Sequence, residues 1–282
     1  MDFLDKIEQE TGNLVELAKK YICTIYPDIS EADLKDPEPG EQKFVFIAGN
    51  DVFYVARNRE ISALMRQEHD TLETLASLKT LVSTPEVRDY QAENHIMRVS
   101  RLNGKPLSES LDSLPTETLR SIGQRLGSFI AQMHHHLPQE LEAHTALYEV
   151  ALAKVSKAFD TASSERETQR IHDVQTHAMR SIESNNKTVT LHSDLHPGNI
   201  LYDPETDELS VIDFTGLKPG ARYREFIKPY AHMPTDMFNE LKNSYKELSG
   251  HKIDDQLIQV GSDTFDVATF SSDSGPFRTV AN

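Results

Sequence analysis

The spacing of apolar residues predicts a strand-rich first part of the chain and a helical second part. Period-two alternation, which is typical of strands, predicts two hairpins in the first hundred residues or so. The predicted strands cover residues 43–48, 52–57, 87–90 and 95–99. Gly49-Asn50-Asp51 suits the first turn, because Gly and Asn tolerate positive φ.

Helical spacing predicts most of the remaining elements. The predicted helices cover residues 3–22, 61–81, 116–137, 139–160, 164–184 and 235–249. A strand over 188–191 and a hairpin over 199–202 and 209–212 lie among them. Leu102-Asn103-Gly104-Lys105-Pro106 interrupts the pattern and predicts a linker between a mixed α/β part and a mainly helical part. The tail from Gly261 is rich in Ser, Thr, Asp and Gly, which predicts loose order.

Composition excludes some classes of protein. The chain has 282 residues, 38% of them apolar, and a formal net charge of −16. An acidic protein of this kind is not a general nucleic-acid binder, which needs a basic face. No stretch reaches the roughly 18 apolar residues of a membrane helix, so we expect no membrane partner. The charge is compatible with a cationic substrate, although it speaks mainly to solubility.

Cysteine content and the N-terminus favour a cytoplasmic protein. Cys23 is the single cysteine, which excludes an internal disulfide framework and fits a reducing compartment. The first residues, MDFLDKIEQE, are acidic from the second position, whereas a secretory leader begins basic and then turns apolar.

Candidate chemistry concentrates between His192 and Asp213. The segment HSDLHPGNIL is followed, after the predicted hairpin, by VIDF. Phosphoryl transfer from MgATP needs a carboxylate that orients the attacking hydroxyl, and oxygen ligands for magnesium. Asp194 is the candidate base, and Asn199 and Asp213 are the candidate magnesium ligands.

This segment resembles the catalytic loop and metal motif of the aminoglycoside phosphotransferase and choline-kinase superfamily. Its wording, LHSDLHPGNIL…VIDF, is closer to the antibiotic kinases than to eukaryotic protein kinases. The resemblance implies an α+β, two-lobed protein-kinase-like fold, with a nucleotide-binding lobe over 1–102 and a catalytic and substrate-binding lobe over 103–282. It implies ATP and Mg²⁺ as cofactors, and a small-molecule substrate with a hydroxyl group.

The resemblance extends to weaker motifs. It places Arg57, where the family usually has Lys, on the strand that holds the ATP phosphates, paired with Glu68 on the next helix. It places the backbone from Ser100 to Leu102 beside the adenine. Three further assignments follow: a glycine-loop candidate at Pro39-Gly40-Glu41-Gln42, a structural role for His134 and His192, and Glu225 in place of the Asp that usually supports the catalytic loop.

The sequence leaves the acceptor of the phosphoryl group open. An aminoglycoside or another hydroxylated, cationic compound is the first expectation, and choline, an amino alcohol or a sugar is the alternative. A protein kinase is disfavoured, because no recognisable activation segment follows Asp213-Phe214. A nucleotide-binding regulator without activity is the remaining alternative, suggested by Arg57 and the poor glycine loop. Oligomeric state and the choice between ATP and GTP do not follow from the sequence.

Overall fold

A computed structural model describes residues 3–9, 13–35, 43–137, 169, 172, 188–255 and 257–259. The glycine-loop candidate at 39–42 and the tail from residue 261 lie outside these ranges. Of the predicted helices over 139–160 and 164–184, the structure describes residues 169 and 172 alone.

The first part of the chain forms a four-stranded antiparallel sheet in the order β1-β2-β4-β3. Its strands are β1 (Lys43–Ala48), β2 (Asp51–Ala56), β3 (Val87–Gln91) and β4 (Ile96–Ser100). Both predicted hairpins are therefore present, and the first turn contains Gly49 at a φ of +58°. Large apolar side chains from the sheet, among them Phe44, Phe46 and Phe53, are fully buried in the core.

Three helices flank this sheet: α1 (Phe3–Gln9), α2 (Leu14–Ile25) and α3 (Arg59–Ala76). The single helix predicted over 3–22 is thus two helices, and Asn13 caps the second by accepting the Val15 N–H at 3.1 Å. Asn58 caps α3 in the same way, accepting the Ile61 N–H at 2.8 Å. Helix α3 is the element between the two hairpins, and it buries the carboxylate of Glu68.

A short connector joins the sheet to the second part of the chain. Gly104 in this connector has a φ of +94°, and a Cβ there would lie 2.7 Å from the carbonyl carbon of Tyr202. Glycine is therefore required both by the backbone conformation and by the close approach to the neighbouring strand. Of the predicted linker over 102–106, the last two residues, Lys105 and Pro106, form a short strand that pairs with Tyr202 and Leu201.

The second part contains helices and short strand pairs. The helices are α4 (Thr116–His136), α5 (Ile227–His232) and α6 (Thr235–Ser249), and the strands are β5 (Lys105–Pro106), β6 (Thr188–Leu191), β7 (Ile200–Asp203), β8 (Glu208–Val211) and β9 (Lys218–Ala221). Strands β5, β7 and β8 form one antiparallel sheet, and β6 pairs with β9. Helix α4 packs against α6, where His134 Nδ1 is hydrogen-bonded to the Tyr245 hydroxyl at 3.0 Å. In the described residues, no helix is both long and apolar enough to span a membrane.

Candidate active site

A buried ion pair connects the first sheet to helix α3. The ammonium group of Lys43, on β1, donates to both carboxylate oxygens of Glu68, at 3.0 and 2.9 Å. The two side chains are 8% and 1% exposed. The Lys43 ammonium also lies 3.9 Å from the centre of the Tyr54 ring. Because such a buried pair is held by several contacts, its geometry is fixed by the fold.

The predicted pair between Arg57 and Glu68 does not form, and hairpin geometry explains why. Lys43 lies directly opposite Ala56 in the β1–β2 register, so these two side chains point to the same face of the sheet. Arg57 follows Ala56 and therefore points to the other face. There its guanidinium stacks on the Phe44 ring, 4.3 Å from the ring centre. The face of the sheet next to α3 thus carries Lys43, whereas Arg57 lies on the opposite face.

Lys43 also contacts the segment that follows β8. Its ammonium group donates to the Thr215 hydroxyl at 2.6 Å and lies 3.4 Å from Asp213 Oδ1. The Thr215 hydroxyl lies 3.0 Å from both Glu68 Oε2 and Asp213 Oδ1, and its hydrogen satisfies one of them at a time. One cation therefore joins carboxylates from α3 and from the end of the β7–β8 hairpin.

The charges in this network shift each other's pKa. Burial acts to lower the pKa of Lys43, but Glu68, Tyr54 and Asp213 together outweigh it, and the net pKa is raised. For Asp213 burial acts in the opposite sense, and the Lys43 charge and the Thr215 hydroxyl outweigh it to leave the pKa lowered. Both groups are therefore charged near neutral pH.

The backbone presents Asp213 in an unusual conformation. Its φ is +65°, and it directly precedes Phe214, which is fully buried. Left-handed backbone at a residue other than Gly costs about 1–3 kcal/mol and tends to occur at functional sites. The Asp213 side chain is 40% exposed, so its carboxylate is still accessible beside Lys43.

The loop after β6 carries the candidate base. Asn199 donates its side-chain N–H to the Asp194 carbonyl oxygen at 3.0 Å, which closes the loop between them. The backbone carbonyl oxygen of Asn199 accepts the Ile212 N–H at 3.0 Å, which fixes the loop against the residue before Asp213. The structure therefore brings all three residues of the predicted motif into one connected region.

His192 and Glu225 support this loop through hydrogen bonds with its backbone. Glu225 accepts the N–H groups of His192 at 2.7 Å and Ser193 at 3.2 Å, and its side chain is fully buried. Ser193 has a φ of +69°, so the carboxylate fixes a strained turn directly before Asp194. His192 accepts the Asp194 N–H on Nδ1 and donates from Nε2 to the Ile212 carbonyl. These contacts support the predicted structural roles of His192 and Glu225.

Two basic side chains face the Asp194 carboxylate. Lys228, on α5, forms an ion pair with Asp194 Oδ1, and His196 Nε2 lies 3.8 Å from the same oxygen. Burial lowers the pKa of His196, Asp194 opposes this effect, and the Lys228 charge adds to it. Neither the pair with Lys228 nor its position on α5 follows from any motif in the sequence.

The connector after β4 supplies the backbone groups predicted to meet adenine. The Ser100 N–H donates to the Glu86 carbonyl at 2.8 Å, and the Arg101 N–H to the Asn50 carbonyl at 2.9 Å. Leu102 N–H forms no hydrogen bond with the described residues. Of these three N–H groups, that of Leu102 is therefore the one left for a ligand.

Lys43, Thr215 and Lys228 are the site residues that sequence reasoning missed. A signal for Lys43 exists: counting back from the Gly49-Asn50 turn places Lys43 level with Ala56 and on the opposite face from Arg57. No comparable signal exists for Lys228, because its contact depends on how α5 packs against the loop.

The fold and the site together define a class of protein. A small antiparallel sheet with a lysine–glutamate pair is followed by the loop that carries Asp194 and Asn199, and by Asp213, in two lobes of an α+β chain. This is the protein-kinase-like fold of a phosphotransferase with an alcohol group as acceptor, as predicted. The chain belongs to the phosphotransferase enzyme family whose model, APH, matches residues 40–249.

Solved structures show the same fold. The chain is similar to the aminoglycoside phosphotransferase APH(2")-IIia in complex with GDP and kanamycin, at 14% identity and a TM-score of 0.67, covering 90% of this chain and 88% of that one. It is similar to macrolide 2'-phosphotransferase MphH from Brachybacterium faecium, at 18% identity and a TM-score of 0.64, covering 92% and 90%. It is also similar to APH(3'')-Id from Streptomyces rimosus, at 16% identity and a TM-score of 0.60, covering 89% and 98%. No curated protein matches the chain.

Proposed function

We propose that the protein transfers the γ-phosphoryl group of ATP to a hydroxyl group of a small molecule. One observation carries this proposal: the contact of Lys43 with Asp213, 3.4 Å apart, joins the buried cation of the first lobe to the carboxylate that follows the catalytic loop. A phosphotransferase needs this arrangement, because the donor phosphates must lie between a cation, a metal ligand and the base.

Asp194 is the group we assign to the acceptor. Its carboxylate accepts a hydrogen bond from the acceptor hydroxyl and then its proton, while the hydroxyl oxygen forms a bond to the γ-phosphorus. The bond between that phosphorus and the β,γ-bridging oxygen breaks, and ADP leaves with the bridging oxygen. The products are the phosphorylated acceptor, ADP and one proton, which passes from Asp194 to solvent. Most of the acceleration comes from positioning and charge neutralisation.

Asn199 and Asp213 fit a magnesium ion. The Asn199 side-chain amide donates its N–H to the Asp194 carbonyl, and its side-chain oxygen, Oδ1, accepts no hydrogen bond from the described residues and is available as a ligand. Asp213 is ionised and part-exposed, and magnesium prefers oxygen ligands of this kind together with phosphate oxygens and water. When bound, the ion would supply positive charge to the phosphates.

Lys43 takes the phosphate-binding role that the sequence resemblance gave to Arg57. Its position is set by Glu68 and Thr215 before any nucleotide arrives, and Glu68 acts through Lys43. We assign the donor to adenine to the Leu102 N–H and not to the Ser100 N–H, because the Ser100 N–H donates to the Glu86 carbonyl. The alternative of an inactive regulator loses its first motive, since the missing lysine is present on β1.

An antibiotic is the first acceptor class to test. The similar structures include an aminoglycoside phosphotransferase with kanamycin and a macrolide phosphotransferase. Choline, amino alcohols and sugars are the second class. The single cysteine and the need for a nucleotide donor favour the cytoplasm as the place of the reaction.

ADP release from MgATP tests the proposed function. The acceptor panel covers aminoglycosides, macrolides, choline, amino alcohols and sugars, and GTP is run beside ATP as donor. We expect ADP release that depends on one class of acceptor and is lost in Asp194→Asn. Asp236→Asn, on the surface of α6, is the matched control and keeps the wild-type rate. A protein that binds no nucleotide under these conditions would contradict the proposal.

A further inference from the structure

Several basic residues lie near Asp194, although the chain as a whole carries a net charge of −16. Lys228 contacts the carboxylate directly, and its side chain is 31% exposed. His232 lies four residues after Lys228 on the same helix, so the two side chains share one face of α5. His196 completes this face from the loop itself, 3.8 Å from Asp194 Oδ1.

The β6–β9 pair adds two further cations. Lys218 lies opposite Leu191, and Leu191 is the last strand residue before the loop that carries Asp194. Gly220 is on the same face of β9 as Lys218, and the Arg224 Cδ atom lies 3.8 Å from the position of a Cβ at Gly220. The Arg224 side chain therefore crosses the face that presents Lys218. Neither Lys218 nor Arg224 forms an ion pair with a carboxylate of the described residues.

Two acids, Glu225 and Asp194, lie near these cations. Partial desolvation lowers the pKa of Lys218, and the Arg224 and Lys228 charges lower it further against Glu225 and Asp194. Glu225 is fully buried and uses its oxygens on the loop N–H groups. Asp194 is the base and must meet the acceptor hydroxyl. Lys218, Arg224 and Lys228 are called the basic group below, and these two acids offset their combined charge only in part.

We propose that the basic group binds an acceptor which carries its own negative charge, a carboxylate or a phosphate, next to the hydroxyl that is phosphorylated. This inference rests on the proposed function and narrows its substrate class. An anionic acceptor draws Lys228 away from Asp194 and frees the carboxylate to accept the hydroxyl proton. A cationic acceptor meets like charges instead, so the cationic compounds expected from sequence are disfavoured at this site.

Calorimetry on the full chain, saturated with Mg²⁺ and a non-hydrolysable ATP analogue, tests the inference. The probes are matched in skeleton: glycerate and glycerol 3-phosphate as anions, glycerol as the neutral compound, and serinol as the amine. Gluconate, glucose and glucosamine form a second set. We expect one anionic probe to bind at least about tenfold more tightly than its neutral and amine partners. The two anions of the first set separate a carboxylate site from a phosphate site.

Substitutions identify the residues responsible. Lys228→Met and Lys218→Met should each reduce the preference for the anion by about tenfold, whereas Lys228→Arg should retain it. Lys242→Met removes a lysine of α6 that is paired with Asp255; it is the matched control and leaves the preference unchanged. Circular dichroism of each variant checks that the fold is intact.

The outcomes separate the two proposals. If the analogue does not bind, the proposed function fails. If the analogue binds but amines or neutral probes bind as well as anions, or no anion binds, the inference is wrong while the function stands. In steady-state assays, a Lys228→Met variant that lowers kcat equally for every acceptor without raising any KM would also overturn it, because Lys228 would then act on the transferred phosphoryl group.

Discussion

The two ends of the candidate site are built differently. At the nucleotide end, Lys43 and Glu68 are 8% and 1% exposed and share hydrogen bonds with Thr215. At the acceptor end, Lys228 and Asp194 are 31% and 35% exposed, with one ion pair between them. Buried charges with several partners are held in one geometry, whereas charges that are about one-third exposed are screened and can exchange partners. We infer that the end proposed for the nucleotide, the preset end, is fixed by the fold, and that the end proposed for the acceptor, the adaptable end, can rearrange around its substrate.

The largest expected effect is at the adaptable end and concerns activity alone. Asp194→Asn removes the proton acceptor but keeps the size of the side chain, so we expect acceptor-dependent ADP release to fall by about 10²–10⁴-fold. Stability should change little, because the lost ion pair with Lys228 is part-exposed. Activity assays and urea unfolding of the same preparations measure the two effects. A variant with normal turnover would remove Asp194 from the mechanism.

At the preset end, the largest expected effect is on stability. Lys43→Met leaves the Glu68 carboxylate buried without its cation, and breaking such a pair costs about 3–5 kcal/mol. Chemical unfolding measures this loss. Replacing both partners, as Lys43→Met with Glu68→Met, should recover most of it, because no uncompensated charge is left.

Arg57→Met is the matched control for Lys43→Met. It removes a cation from the opposite face of the same hairpin and forfeits a stacking contact with Phe44, worth about 0.5–1 kcal/mol. Equal losses of stability in the two variants would contradict the account, which places only Lys43, and not Arg57, in a buried ion pair with Glu68.

A smaller effect is expected where the fold supports the adaptable end. Glu225→Ala leaves the N–H groups of His192 and Ser193 unsatisfied, and we expect a loss of about 2–3 kcal/mol together with slower turnover. Glu225→Gln keeps one acceptor oxygen and should be milder. Glu247→Ala, an exposed position on α6, controls for the loss of a glutamate. Wild-type activity in Glu225→Ala would show that the strained turn at Ser193 does not need this support.

The smallest expected effect is a pH dependence at His196. Burial lowers the pKa of His196 below its usual range, so its protonation opposes the folded state. Stability from this group is present above the ordinary histidine pKa and is lost as the pH falls through the folded-state value. From about pH 7.5 to about pH 5.5, wild type should therefore lose more stability than His196→Asn.

The His196→Asn variant keeps an acceptor for the Gly198 N–H, which in wild type donates to His196 Nδ1 at 3.0 Å. Urea unfolding at both pH values gives the difference. Lys228→Met should weaken the same dependence, because the Lys228 charge contributes to the lowered pKa. Identical dependence of stability on pH in wild type and His196→Asn would contradict the lowered pKa of His196.

Much of the fold follows from local patterns in the sequence. Period-two alternation and the Gly49 turn predict the first hairpin, and helical spacing predicts α4 and α6 almost to the residue. The linker glycine, Gly104, is predicted from the break in the pattern. The first helix fails as a single element because Asn13 caps a second one, a local hydrogen bond that apolar spacing does not register.

The site is predictable where it lies within one motif. Asp194, Asn199 and Asp213 are brought together by a single loop and hairpin, so their spacing in sequence carries the geometry. Contacts between distant segments do not follow from spacing. Lys43 and Thr215 are 172 positions apart, and Lys228 reaches Asp194 through helix packing. The place of Arg57 in a strand predicts its pair with Glu68, but Arg57 lies on the opposite face of the sheet from Lys43, which forms that pair.

Nucleotide binding to wild type, Lys43→Met and Arg57→Met tests the central claim most directly, since that claim places the phosphate-binding cation on β1. Calorimetric titration with MgATP, at a temperature where all three proteins are folded, is the measurement. We predict that Arg57→Met binds as wild type does, and that Lys43→Met loses at least about tenfold in affinity. Normal binding by Lys43→Met, with loss of binding by Arg57→Met, would contradict the claim and return the role to Arg57.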